Sequence, residues 1–216
     1  MNNKKENYEY SAKYSYQDGS SVEEYEKERF SGPLGKYRYT REQKAVSFLV
    51  ECLPENITIV DCPCGNGRWW PILSRKAKKI IAFDVSPGML AYATEQAKLF
   101  DTLIEVKEGN AESLLLKNDS VDYVFSHALT KHLPIPVQYR VLAEFSRISK
   151  KGVICSFGVF NHITYEIWRH RHISESYPIM IEELEWMANA AGLRIELMRK
   201  CTTPIGVEKT ILFVKE

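Results

Sequence analysis

Ile57-Thr-Ile-Val-Asp-Cys-Pro-Cys-Gly-Asn-Gly-Arg68, followed by Ile80-Ile-Ala-Phe-Asp84, decides the fold of this 216-residue chain. An apolar run rich in β-branched residues ends in an acid and enters a turn of small residues. A helix is expected beyond the turn, then a second apolar run ending in a second acid. That is the first strand–loop–helix–strand of a nucleotide-binding α/β unit, with Asp84 where an acid can accept from ribose hydroxyls. Two cofactor classes use this layout. A dinucleotide fingerprint needs a third glycine three residues after the second. Counted from Gly65 and Gly67 that position is Trp70, and a count started one glycine earlier meets Pro63. An indole cannot fill a site whose purpose is to lack a side chain, so a nicotinamide or flavin fingerprint is disfavoured.

Outward from this unit the pattern alternates. Strands are expected over 57–61, 79–84, 103–107, 121–126 and 153–157. Helices are expected over about 68–77, from the Ser86-Pro-Gly cap to Leu99, and over 136–149. Upstream, a helix is expected over 20–30, a break at 31–35, and a helix from Thr40 to Leu53 with Ala45, Phe48, Leu49 and Cys52 on one face. Lys150-Lys-Gly152 reads as a turn. A last helix over 182–191 ends at Gly192, followed by strands 193–200 and 208–215, whose pairing as a hairpin is left open. Strands alternating with helices predict a mostly parallel sheet covered on both faces.

The quoted residues resemble motif I of the class I S-adenosylmethionine-dependent methyltransferases, an acid followed by x-Gly-x-Gly-x-Gly. Here it reads Asp61-Cys-Pro63-Cys-Gly65-Asn-Gly67, in the Asp-x-Pro-Cys-Gly-x-Gly-Arg variant. The likeness covers about 20–216 and is closest to the ubiquinone-biosynthesis-type and natural-product group. It implies a Rossmann-like, seven-stranded, mostly parallel sheet with helices on both faces and a C-terminal antiparallel strand. It further implies a tyrosine-rich arm and lid helix over 1–36 and the methyltransferase domain over 37–216.

With the resemblance comes a set of expected roles, with S-adenosylmethionine as cofactor. Asp61 is expected near the methionine amino group, with Cys62, Gly65 and Gly67 in the loop that approaches the amino-acid moiety. Asp84 is expected on the ribose, Val85 and Met89 beside the adenine, and Asn110, Ala111 and Glu112 at the adenine edge. His127, just past the fourth strand, matches a position bordering the methyl. His127 and His132 are candidate general bases, since histidine titrates near working pH. Each also reads as a wall residue or a helix start. Tyr25 and Arg29, in a Tyr-x-x-x-Arg-Phe pattern, together with Trp168 and Arg169, are candidate acceptor contacts. An exposed amphipathic helix explains 161–172 equally well. Seven of the twelve tyrosines fall within the first 40 residues, which suits a lid. Of Trp69 and Trp70, one is expected to pack the helix on the sheet.

Bulk composition narrows the partners. With 29 Lys and Arg against 28 Asp and Glu, the chain has no strong attraction to a phosphate backbone. No apolar run approaches the roughly 18 residues of a membrane span, and no secretion signal is evident. Five cysteines suit a reducing compartment, so the expected location is cytoplasmic. Neither Cys62-x-Cys64 nor the His-x-His at 170–172 has partners at metal-site spacing, so no metal is expected. The expected function is methyl transfer to a small-molecule or sugar- or lipid-linked acceptor at O, N or C, by a monomer or homodimer. RNA or protein methylation and non-catalytic binding of the cofactor are the alternatives.

Overall fold

The computed structural model describes residues 31–169, 176–203 and 206–216, with the side chains of 167–169 outside that description. The helix expected over 20–30, with Tyr25 and Arg29, lies outside the described residues, as do His170, Arg171 and His172. Among the described residues, helices α1 (Gly32–Glu51), α2 (Trp70–Leu73), α3 (Pro87–Ala97), α4 (Ile135–Ile148), α5 (His162–Arg169) and α6 (Ile181–Ala190) surround eight strands. These are β1 (Ile57–Asp61), β2 (Ala77–Asp84), β3 (Leu103–Glu108), β4 (Val121–Ser126), β5 (Ser149–Phe160), β6 (Ile179–Met180), β7 (Leu193–Lys200) and β8 (Glu208–Lys215).

The sheet order is β3-β2-β1-β4-β5-β8-β7, with β6 added beside the end of β5. The first five strands are parallel, as is β6 to β5. Only β8 is reversed: it pairs antiparallel with both β5 and β7, so 193–200 and 208–215 do form a hairpin. The last strand in sequence is therefore antiparallel, as expected, while the sheet has eight strands rather than seven. Gly192, at φ 70, ends α6 in the left-handed conformation that glycine adopts most readily.

Several local expectations are corrected. Non-helical chain was expected through residue 35 and a helix from Thr40, but α1 already starts at Gly32 after an extended Ser31, because proline's missing N–H is harmless in a first turn. The helix therefore runs through the 36/37 position, and it buries Glu42, Ala45, Val46, Leu49 and Val50 while Phe48 and Cys52 are exposed. The expected helix over 68–77 is a single turn, since Ala77 already pairs with Ile57. Lys150-Lys-Gly152 is strand, not turn. A Cβ on Gly152 would lie 2.1 Å from the Phe213 carbonyl oxygen, so this glycine admits the neighbouring strand β8.

Both faces of the sheet are covered. Val141, Leu142 and Phe145 of α4 and Leu184 and Met187 of α6 pack on Val153, Phe157 and Phe213. On the other face, Val46, Leu49 and Val50 of α1, Trp70 and Leu73 of α2 and Ala93 of α3 pack on Ile59, Ile80 and Phe125. Each fully buried aliphatic or aromatic side chain contributes about 1.5–3 kcal/mol.

Candidate functional site

The chain leaves β1 for β2 and β3 on one side and returns to β4 on the other, so the carboxyl end of β1 is the switch point where such sheets hold ligands. Two backbone bonds fix the loop there. Cys62 N–H donates to Phe125 O on β4 at 3.0 Å, and Cys64 N–H to Phe83 O on β2 at 2.8 Å. Gly65 and Gly67 follow, at φ 53 and 79. A Cβ at Gly65 meets nothing within 4 Å, whereas one at Gly67 would sit 2.5 Å from the Trp70 ring. The face of the loop at Gly65 is open, and its floor at Gly67 is an indole.

Asp84, nearly buried at the end of β2, ties the loops together. Its Oδ2 accepts from Gly65 N–H at 2.9 Å and its Oδ1 from Ser86 N–H at 2.9 Å. Its backbone carbonyl accepts from Gly109 N–H at 3.0 Å, which brings the turn after β3 alongside. Each carboxylate oxygen keeps a second lone pair for a ligand hydroxyl. Burial raises the Asp84 pKa, opposed by the N–H donors of Ser86, Gly65 and Val85. Ser86 Oγ caps α3 by accepting from Met89 N–H at 3.3 Å, so the expected cap is present. Met89 is buried at the foot of this helix and Val85 is 39% exposed beside it. On the turn after β3, the Asn110 side chain accepts from Glu112 N–H at 3.0 Å. Ala111 packs on the core and Glu112 pairs with Arg140 of α4 at 2.8 Å.

Asp61 is fully buried. Trp70 Nε1–H donates to its Oδ2 at 2.9 Å, while no donor among the described residues reaches Oδ1. Burial pushes its pKa up to about 8, with Asp84 adding to the rise and the Trp70 bond and Arg68 opposing it. A buried acceptor oxygen without a donor, beside an open glycine loop, fits a small cationic donor such as an ammonium. Burial also raises the pKa of the Cys62 and Cys64 thiols, which favours their protonated form.

At the end of β4, His127 is buried against Trp69, with ring centroids 4.7 Å apart. Arg68 Nη2 lies 3.3 Å from its Nδ1 and 3.3 Å from Glu42 Oε2 of α1, and the guanidinium covers the Trp69 ring at 4.5 Å. A guanidinium only donates, so as a hydrogen bond this contact has Nδ1 as its acceptor. Ala128 follows at φ 63, a strained value for a non-glycine residue, held by its N–H donating to Ser156 Oγ at 2.8 Å. His132 is exposed and closes the 3-10 turn Thr130–His132.

The tertiary fold also brings His127, Cys201 and Glu208 together, their possible ligand atoms all within 4.8 Å of one another. Lys131 Nζ sits 3.1 Å from each oxygen of Glu208, and burial and Glu208 push the Cys201 thiol up to about 12. With an ammonium on the carboxylate and a protonated thiol, the cluster is an ion-paired wall of the site. Trp168 and Arg169 belong to α5 after β5, their side chains lying outside the described residues.

Sequence reasoning missed Glu42, Arg68, Trp69 and Trp70 as parts of one site. The available signals were an acid at 42 on the apolar stripe formed by 45, 46 and 49, and the arginine closing the glycine loop. Nothing local pointed to Cys201 or Glu208.

Residues 59–152 match the family described as a methyltransferase domain. Among curated proteins, the chain is 28% identical over 137 residues to malonyl-[acyl-carrier protein] O-methyltransferase of Yersinia pestis, covering 56% of this chain and 46% of that protein. It is 33% identical over 123 residues to the enzyme of the same name from Hahella chejuensis, covering 53% of this chain and 40% of that one. The chain thus spans less than half the length of these relatives. Among solved structures, magnesium protoporphyrin IX methyltransferase from Synechocystis PCC 6803 with bound SAH superposes with a TM-score of 0.73. It is 16% identical and the match covers 91% of this chain and 95% of that one, a likeness of fold.

Proposed function

Because this chain carries a class I S-adenosylmethionine-dependent methyltransferase domain, we propose that it transfers the methyl group of S-adenosylmethionine to a small-molecule or sugar- or lipid-linked acceptor at O, N or C. The observation that carries this reading is the pair of acids at the switch point. Asp84 has both oxygens tied to loop amides and lone pairs to spare, and Asp61 Oδ1 is a buried acceptor awaiting a donor.

Bound, the cofactor supplies a sulfonium-activated methyl, so the protein's task is to hold an acceptor in line and exclude water. In this reading Asp84 accepts from the ribose hydroxyls and Asp61 Oδ1 from the amino group, with Cys62, Gly65 and Gly67 forming the loop beneath. Val85 and Met89 flank the adenine, and Asn110, Ala111 and Glu112 line its edge. His127 and Trp69 wall the methyl end. With Arg68 on Nδ1, that nitrogen of His127 acts as a base only once Arg68 moves off it. His132, Tyr25, Arg29, Trp168 and Arg169 remain acceptor-side proposals.

A carrier-linked acyl acceptor is a second reading, favoured by the name that the curated relatives share. The five free thiols, four of them buried, are the reason for proposing a cytoplasmic location. No helix among the described residues is long and apolar enough to cross a membrane.

The test is calorimetric titration with S-adenosylmethionine and S-adenosylhomocysteine, with nicotinamide dinucleotides as controls, then acceptor screening with radiolabelled methyl. Binding of the sulfonium cofactor and its product alone is expected. Asp84→Ala should weaken both at least about tenfold, since charge-assisted hydrogen bonds contribute about 1.5–3 kcal/mol each. An unchanged dissociation constant would refute the ribose assignment.

A further inference from the structure

We propose that Trp70 is a positioning residue that aims Asp61 at the cofactor's amino group, and so makes this site select ligands that carry an ammonium over the same nucleoside without one. The inference rests on the methyltransferase reading above and concerns a residue outside the glycine-loop motif.

Three observations support it. Trp70 is completely buried, its ring set edge-on against Phe100 at 5.9 Å, so the indole has one orientation. From that orientation Nε1–H donates to Asp61 Oδ2 at 2.9 Å, which pins the carboxylate and leaves Oδ1 as its open acceptor. The same ring lies 2.5 Å from where a Cβ on Gly67 would be, so it also sets the floor of the glycine loop. One side chain therefore fixes the acid and the loop relative to each other.

The chemistry of the vacant acceptor decides the ligand class. A carboxylate oxygen only accepts when ionised, and a buried one gains most from a charged donor. A primary ammonium meets that need, whereas a hydroxyl-only nucleoside leaves the oxygen unsatisfied. Removing the indole N–H leaves Asp61 with no hydrogen-bond donor among the described residues on either oxygen, so it keeps its proton to higher pH and loses its fixed aim.

The test uses Trp70→Phe, which keeps a buried ring and deletes the donor, with thermal unfolding to confirm a folded protein. Two ligands are titrated: S-adenosylhomocysteine, which carries the amino acid, and 5′-methylthioadenosine, which lacks it. The expected result is an affinity for the first reduced about tenfold or more, with the second within about twofold. Equal losses for both, or no loss for either, would overturn the proposal and leave Trp70 as packing. The wild-type protein gives an arm that needs no variant. It should bind S-adenosylhomocysteine at least about tenfold more tightly than 5′-methylthioadenosine, and equal affinities for the two overturn the proposal. A wild-type protein that binds neither ligand overturns the methyltransferase reading and this inference together. Wild-type binding with an unaltered ratio in Trp70→Phe overturns the inference alone.

Discussion

Replacing Asp61 by asparagine separates what this carboxylate does for a ligand from what it does to the fold. Asp61 is fully buried, and its pKa is raised from 3.8 to about 8, chiefly by loss of solvent. The folded protein therefore keeps a proton that the unfolded chain releases above pH 4. Its stabilising effect is complete below about pH 4 and is lost as pH rises, until the folded carboxyl has itself ionised near pH 8. Within that window the slope is about 1.4 kcal/mol per pH unit, so roughly 4 kcal/mol of stability disappears between pH 4 and pH 7. Asparagine carries no charge at any of these pH values, and its carbonyl can still accept from Trp70 Nε1–H. Asp61→Asn should match the wild type most closely near pH 4 and become progressively the more stable protein toward pH 8. Urea unfolding of both proteins at pH 5, 6, 7 and 8 measures this as a widening gap in unfolding free energy. The same variant should lose most of its affinity for S-adenosylhomocysteine, because a neutral amide replaces the ammonium's partner. A stability gap independent of pH would refute the claim that Asp61 sits in the fold at the expense of its own ionisation.

The two loop glycines should respond differently. Gly65→Ala meets no atom of the described residues within 4 Å and suffers only its positive φ, about 1–2 kcal/mol, so it should fold and lose cofactor affinity. Gly67→Ala adds a clash with the Trp70 ring at 2.5 Å and should lower the melting temperature more than Gly65→Ala does. Equal melting temperatures for the pair would contradict this geometry. His127→Asn should lower kcat/KM for the acceptor about tenfold or more while changing the S-adenosylhomocysteine Kd by less than about threefold. Undiminished turnover would remove His127 from the acceptor end of the site.

Much of the architecture is written locally. Ile57–Asp61, Val121–Ser126, Leu193–Lys200 and Glu208–Lys215 start and stop where apolar, β-branched runs meet turn residues. The Ser86-Pro cap and Gly192 mark helix ends for reasons contained in two or three residues. Local reading failed where one residue type serves two physical ends. Proline at 33 opens α1 where non-helical chain was expected up to residue 35, and Gly152 admits a neighbouring strand where it was expected to turn the chain.

The site divides along the same line. Asp61, Gly65, Gly67 and Asp84 are recognisable because a single strand–loop–helix–strand unit carries them all at fixed spacing. The Arg68–His127 contact, 59 residues apart in the chain, and the Glu42–Arg68 ion pair exist only because α1, the glycine loop and the end of β4 converge. The hydrogen bond from Trp70 to Asp61 spans nine residues, yet it depends on the indole being driven into the core beneath the loop. Backbone propensity and hydrophobic periodicity act over a few residues, so the sequence alone determined the positions of seven of the eight strands, the glycine loop and its two acids. Burial is a property of the assembled layers, and only those layers decided which oxygen of Asp61 is occupied, which is open, and how strongly it holds a proton.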